Sequence, residues 1–170
     1  MNVLIVVDMQ EDFVRGALGT AEAQAIVPRV RDIISNFEGK IIYTRDSHEQ
    51  DYLTTQEGQR LPVEHCVRGS RGWQILPEVY LEGAEIIDKP SFGSLDLASR
   101  LQELHREEPI EKITLIGLCT DICVISNAMI IKAALPEVPV SVISEGCAGV
   151  SPESHENALA AMRVCQIDVI

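Results

Sequence analysis

Lys112–Ala134 reads KITLIGLCTDICVISNAMIIKAA. Its first part, Lys112–Gly117, is continuously apolar and β-branched rather than alternating, the pattern of a strand buried on both faces. From Asp121 through Ala134 the chain is apolar on most sides, the mark of a deeply buried helix. A buried strand that turns within a few residues into a buried helix is the repeating unit of a parallel sheet covered by helices. Five other runs repeat the strand half: Val3–Asp8, Lys40–Arg45, Ala84–Asp88, Pro139–Ser144 and Gln166–Ile170. The helices between them are legible from their ends. Thr20 precedes a helix through Asn36, with Pro28 its weak point because proline fits best in a first turn. Ser94 can cap Leu95–Glu107, with Asp96 favourable in the first turn. Ser151-Pro152-Glu153 supplies a serine cap and a proline at the first helical position. The expected fold is α/β: a three-layer, doubly wound, Rossmann-like sheet of about six parallel strands, in one domain over 1–170.

Composition sets limits around that fold. With 46% of residues apolar and only 4% aromatic, the core must be aliphatic. A chain of 170 residues buries roughly two-thirds of its unfolded surface, so its core needs no disulfide or metal. Fourteen Lys and Arg against 26 Asp and Glu give a formal charge of −12. Such a surface repels phosphate backbones and anionic bilayers, so nucleic acid and membrane are not expected partners. MNVLIVVDMQ, Met1–Gln10, has no basic stretch, is too short to span a bilayer and ends its apolar run at Asp8. It reads as a strand, not a signal peptide. The cysteines at 66, 119, 123, 147 and 165 are odd in number and lack a secreted spacing pattern, which points to free thiols in a reducing cytoplasm.

In a doubly wound sheet, ligands sit at the carboxyl ends of the strands, at the topological switch point. Asp8 ends the first run, Lys89 follows the third, and Cys123 lies just past the fourth at the start of a helix. A helix N-terminus and a nearby lysine favour a thiolate. A carboxylate can accept the thiol proton and return it to a leaving amine. The backbone N–H groups of Gly117–Cys123, leaving a strand for a helix, suit an oxyanion hole. The one long stretch without clear secondary structure, Asp46–Arg71, carries a second cluster. Asp46-Ser47-His48 places a carboxylate and an imidazole on one side of an extended segment. His65 returns at the far end, with Glu57 between. Two histidines and one or two carboxylates suit zinc, iron(II) or manganese with open positions for water or substrate. A competing reading makes Cys119 and Cys123 a redox or metal-binding pair on one helix face.

Three blocks, VVDMQEDF (Val6–Phe13), DKPSFGS (Asp88–Ser94) and GLCTDICV (Gly117–Val124), occur in that order. Together they resemble the isochorismatase-like cysteine hydrolases, a family that includes the nicotinamidases (pyrazinamidases). The resemblance covers nearly the whole chain and implies the doubly wound sheet. It implies Asp8 as base, Lys89 as electrostatic partner and Cys123 as nucleophile. A cis peptide before Cys119 and an oxyanion hole built from the N–H groups of Cys119 and Cys123 follow from it too. It further implies a divalent metal, zinc first with iron(II) or manganese as alternatives, on Asp46, His48, Glu57 and His65. Phe13, Leu61 and Phe92 fall on the implied substrate pocket. The implied activity is hydrolysis of nicotinamide to nicotinate and ammonia through a thioester on Cys123, as in cytoplasmic NAD salvage. The alternative keeps the triad and changes the small-molecule substrate to another amide, such as a ureido or carbamoyl compound. A homo-oligomer is implied as well.

Overall fold

The computed structural model describes residues 1–170. Its sheet has six strands: β1 (Asn2–Val7), β2 (Lys40–Asp46), β3 (Glu85–Lys89), β4 (Lys112–Leu118), β5 (Val140–Ala148) and β6 (Asp168–Val169). All pairs are parallel, in the order β3-β2-β1-β4-β5-β6. The chain winds outward from β1 to β3, crosses back to β4, and winds outward again to β6. The switch point therefore lies between the carboxyl ends of β1 and β4, which pair from Asn2↔Lys112 to Val7↔Gly117.

The helices are α1 (Glu11–Val14), α2 (Ala21–Asn36), α3 (Gln56–Arg60), α4 (Leu95–Glu107), α5 (Ile125–Ala134) and α6 (Pro152–Val164). They enclose two aliphatic layers. Val3, Ile5 and Val7 pack with Leu97, Leu101, Ala128, Ile131 and Met162 on one face. Leu4 and Val6 pack with Val27, Val30 and Ile34 on the other. Successive strand side chains point to opposite faces, so a strand covered on both must be apolar throughout. Thr20, Ser94 and Ser151 each accept a backbone N–H at the start of α2, α4 and α6. No helix is long and apolar enough to cross a membrane.

Several local expectations shift. Pro28 sits inside α2 without ending it, because buried Val27, Val30 and Ile34 hold the helix on the sheet. Lys89 is the last residue of β3 rather than the first after it. β5 continues to Ala148, pairing Gly117 with Cys147 beyond an irregularity. β6 shrinks to two residues because Gln166 turns with φ 62°. Asp121–Ala134 is not one α-helix: a π-helical turn over Thr120–Val124 precedes α5. Both Ile122 and Val124 donate their N–H to the Cys119 carbonyl there. Asp46–Arg71 also holds local structure, a 3₁₀ turn at Tyr52–Thr54 followed by α3, which Thr55 caps through Gly58 N–H at 3.0 Å.

Gly117 lies directly against the Val7 backbone of β1. Its φ is +119°, and an added Cβ would lie 2.1 Å from the Val7 carbonyl oxygen. Gly117→Ala is expected to destabilise the fold by about 2–4 kcal/mol through positive-φ strain and overpacking. Thermal unfolding should show a Tm lower by roughly 5–15 °C; an unchanged Tm would mean that the two strands part there without cost.

Candidate active site

Four neighbouring strand ends bring the reactive groups together. Asp8 follows β1 with φ 48°, Asp46 ends β2, Lys89 ends β3, and Cys123 lies in the turn after β4. Asp8, Asp46, Lys89 and Cys123 are all buried. The Lys89 Nζ stands 2.6 Å from Asp8 Oδ2 and 3.3 Å from Asp46 Oδ1. It also lies 3.4 Å from Cys123 Sγ and donates to the Ser91 carbonyl at 3.0 Å. A buried ammonium requires such partners, since its desolvation is otherwise uncompensated. Thr44 Oγ1 donates to Asp8 Oδ1 at 2.7 Å. Asp8 Oδ2 is thereby turned toward the lysine and the thiol, and it makes no well-directed hydrogen bond.

The electrostatics follow from burial. Burial lifts the Asp8 carboxyl above its usual range, against the pull of Lys89. It works to lower Lys89, but the facing Asp8, Cys123 and Asp46 groups outweigh it and keep the ammonium charged. Burial pushes the Cys123 thiol well above its ordinary value, and the Asp8 and Asp46 charges add to that while Lys89 opposes. The lysine and the start of a helix favour a thiolate, and in this site burial works against that charge. The Asp8 carboxylate beside the thiol, joined through Lys89 Nζ, can take the proton as sulfur attacks.

Beside this triad, Asp46, His48, Glu57 and His65 offer ligand atoms that all lie within 4.8 Å of one another. His48 Nε2 is 2.9 Å from Asp46 Oδ2 and 3.6 Å from Glu57 Oε1; His65 Nε2 is 3.6 and 3.8 Å from the same atoms. His65 Nδ1 faces the Val63 carbonyl at 2.8 Å. Donation from Nδ1–H to that carbonyl leaves Nε2 as a lone pair toward the cluster. The buried His48 Nε2 makes no directed hydrogen bond despite its proximity to Asp46. An orphaned buried nitrogen, an indexed imidazole and two carboxylates form a donor set for a divalent ion. Four ligands about 2.1 Å from a tetrahedral ion lie about 3.4 Å apart, so the most separated donor atoms would close by up to about 1.4 Å on an ion. The residues fit the metal. Although burial opposes it, the adjacent imidazoles of His48 and His65 and the charge of Lys89 hold Asp46 well below the usual carboxylate range. Burial raises Glu57.

A cavity of about 190 Å³ opens over Cys123, Asp46 and His65. Phe13, Leu61 and Phe92 all line it, with Ile122 and Val150, and no lysine or arginine does. Leu61 and Phe92 stand partly exposed at its rim. The peptide Leu118–Cys119 is cis, and no backbone carbonyl accepts the Cys119 N–H.

Three supporting residues escaped the sequence reading. Gln10 accepts the Asp46 N–H at 2.7 Å and donates to the Asp46 and Trp73 carbonyls, both at 2.9 Å. Its signal is a carboxamide two positions after Asp8 in the same block. Tyr52 packs against both imidazoles at 4.7 and 5.0 Å and donates to the Leu61 carbonyl at 2.9 Å. Thr44 lies in the β2 run, where nothing distinguishes it from a core position.

The Isochorismatase domain model matches residues 2–170. The chain belongs to that family and is a hydrolase of amide bonds. Within it the chain is similar to the nicotinamidase of Escherichia coli, 26% identical over 194 residues covering 96% of this chain and 90% of that one. It is also similar to the pyrazinamidase of Pyrococcus horikoshii solved in complex with zinc: 30% identical, TM-score 0.83, covering 99% and 98% of the two chains. An N-carbamoylsarcosine amidase from Thermoplasma acidophilum shares 25% identity with TM-score 0.76, covering 99% and 95%.

The upward push of burial on the Cys123 thiol has a measurable consequence. Iodoacetamide modification of Cys123, followed by mass spectrometry, should accelerate with each pH step through the ordinary thiol range near about pH 8.5. A rate already level by about pH 7 would mean a preformed thiolate.

Proposed function

We propose that this protein hydrolyses nicotinamide to nicotinate and ammonia, with Cys123 as nucleophile, Asp8 as proton carrier and Lys89 as their electrostatic partner. The observation that carries this reading is the position of the metal-donor set: Asp46 reaches Lys89 with one oxygen and His48 with the other. A metal-held ring and a thiol would thus face one small cavity.

The steps balance on these groups. Asp8 takes the thiol proton as Sγ bonds to the amide carbon. The resulting oxyanion accepts the N–H groups of Cys119 and Cys123. The C–N bond then breaks as Asp8 passes its proton to nitrogen, releasing ammonia and leaving a thioester. Water attacks the thioester and loses a proton to Asp8; the C–S bond breaks, and that proton returns to sulfur. Lys89 stays charged, orienting Asp8 and offsetting negative charge on sulfur. A divalent ion on Asp46, His48, Glu57 and His65, zinc first, would supply a Lewis-acid contact for the ring nitrogen of the substrate.

The likeness to an N-carbamoylsarcosine amidase keeps a second amide class in view. N-carbamoyl amino acids carry a carboxylate, which needs a cationic partner when desolvated. Asp46 and Glu57 line this cavity and no lysine or arginine does, which favours an uncharged ring amide.

Ammonia release across a panel of nicotinamide, pyrazinamide and carboxylate-bearing ureido compounds tests the choice; turnover confined to the ureido compounds hands the function to the second reading. Cys123→Ala should lose on the order of a thousandfold or more in kcat/KM with the fold intact, and folded Asp8→Asn most of its activity. Near-wild-type turnover by Cys123→Ala would move the nucleophile elsewhere. Chelation to a metal-free state, checked by elemental analysis, should abolish nicotinamide turnover and metal return should restore it. Full turnover by the metal-free protein rejects the metal.

A further inference from the structure

Asn127 is fully buried in the first turn of α5, where most neighbours are aliphatic. A carboxamide in such a place must use its hydrogen-bonding groups or lose stability. It uses them on two segments of the site. Nδ2 donates to the Cys123 carbonyl, four residues back, at 2.8 Å. It also donates to the Phe92 carbonyl at 3.1 Å, and Oδ1 accepts the Ser94 N–H at 3.0 Å. One side chain thus ties the turn carrying Cys123 to the segment between Lys89 and α4.

That segment is gripped from its other side by Lys89, whose ammonium donates to the Ser91 carbonyl. It also lies flat on α5: a Cβ added at Gly93 would meet Ile130 Cδ1 at 2.4 Å. The position of Phe92 on the cavity wall and that of Cys123 beneath it are therefore set by the same carboxamide. Neither an acid nor an aliphatic residue can replace it. Aspartate offers no donor to the two carbonyls and buries a charge, and leucine satisfies none of the three groups.

We propose that Asn127 is a positioning residue for amide hydrolysis, holding the Cys123 thiol in register with Lys89 and the Phe92 wall. The proposal rests on the reading of Cys123 as nucleophile. Two variants separate its two links. Asn127→Ala removes both. Asn127→Thr keeps one, because a threonine hydroxyl in a helix can donate to the carbonyl four residues back, here that of Cys123.

The experiment measures the rate of Cys123 alkylation by iodoacetamide at fixed pH, kcat and KM for nicotinamide, and thermal unfolding, for wild type and both variants. Asn127→Ala should alkylate about tenfold more slowly and lose about a hundredfold in kcat/KM, since misplacement near 1 Å has that scale of effect. Asn127→Thr should alkylate within about threefold of wild type and keep kcat, while KM rises about tenfold as the Phe92 wall loosens. A folded Asn127→Ala with wild-type alkylation and kcat/KM overturns the proposal, even if its Tm falls, because the residue is then only structural. So does Asn127→Thr losing as much alkylation as Asn127→Ala. Wild-type turnover that survives complete alkylation of Cys123 overturns the nucleophile reading and this proposal with it. The alkylation arm needs no substrate, so it reads the positioning whichever amide is turned over.

Discussion

The site depends on one buried ammonium. Lys89 has no exposed surface, and a charge so placed costs several kcal/mol unless oppositely charged groups surround it. Asp8 and Asp46 supply those charges at 2.6 and 3.3 Å. The sheet order shows what the lysine brings together. β3 lies two places from β1 and three from β4, and neighbouring strands are about 4.8 Å apart. A long side chain from the end of β3 meets Asp46, Asp8 and Cys123, which lean toward it from the ends of β2 and β1 and from the turn after β4. Lys89 thereby joins three strand ends that chain connectivity keeps apart.

Asp46 extends this arrangement to the second cluster. One carboxylate oxygen serves the lysine and the other faces the imidazoles, so the triad and the metal-donor set cannot move independently. Its backbone is pinned by Gln10 on both N–H and carbonyl, while Thr44 fixes one oxygen of Asp8. Asp46 and Asp8 are thus each held by a neighbouring side chain, which helps keep a precise geometry in a buried site.

Much of this was legible in the residues. β1 and β4 read as continuous apolar runs because both faces are covered, and Asp8, Lys89 and Cys123 stood out as polar or reactive groups at strand ends. The Asp46–His65 cluster was visible from its donor types. Other features were not legible, for physical reasons. The π-helical turn over Thr120–Val124 shifts one hydrogen bond and leaves the apolar pattern unchanged, so TDICV reads equally well as α-helix. The short helix Gln56–Arg60 has no apolar face; Thr55 and the close approach of Gly58 to the Tyr52 carbonyl shape it. The burial of the Cys123 thiol arises only in the folded site, and residue spacing does not encode it. A helix N-terminus and a lysine favour a thiolate, and burial pushes the thiol the other way.

In the mechanism we propose, sulfur, not water, first bonds the amide carbon. Acid-quenched turnover of nicotinamide, with mass spectrometry of the peptide containing Cys123, tests it most directly. A nicotinoyl adduct on Cys123 that appears within a turnover and is discharged by hydroxylamine to the hydroxamate is the predicted result. Sustained ammonia release with Cys123 unmodified at every quench time, and no hydroxamate formed when hydroxylamine is present, would contradict it.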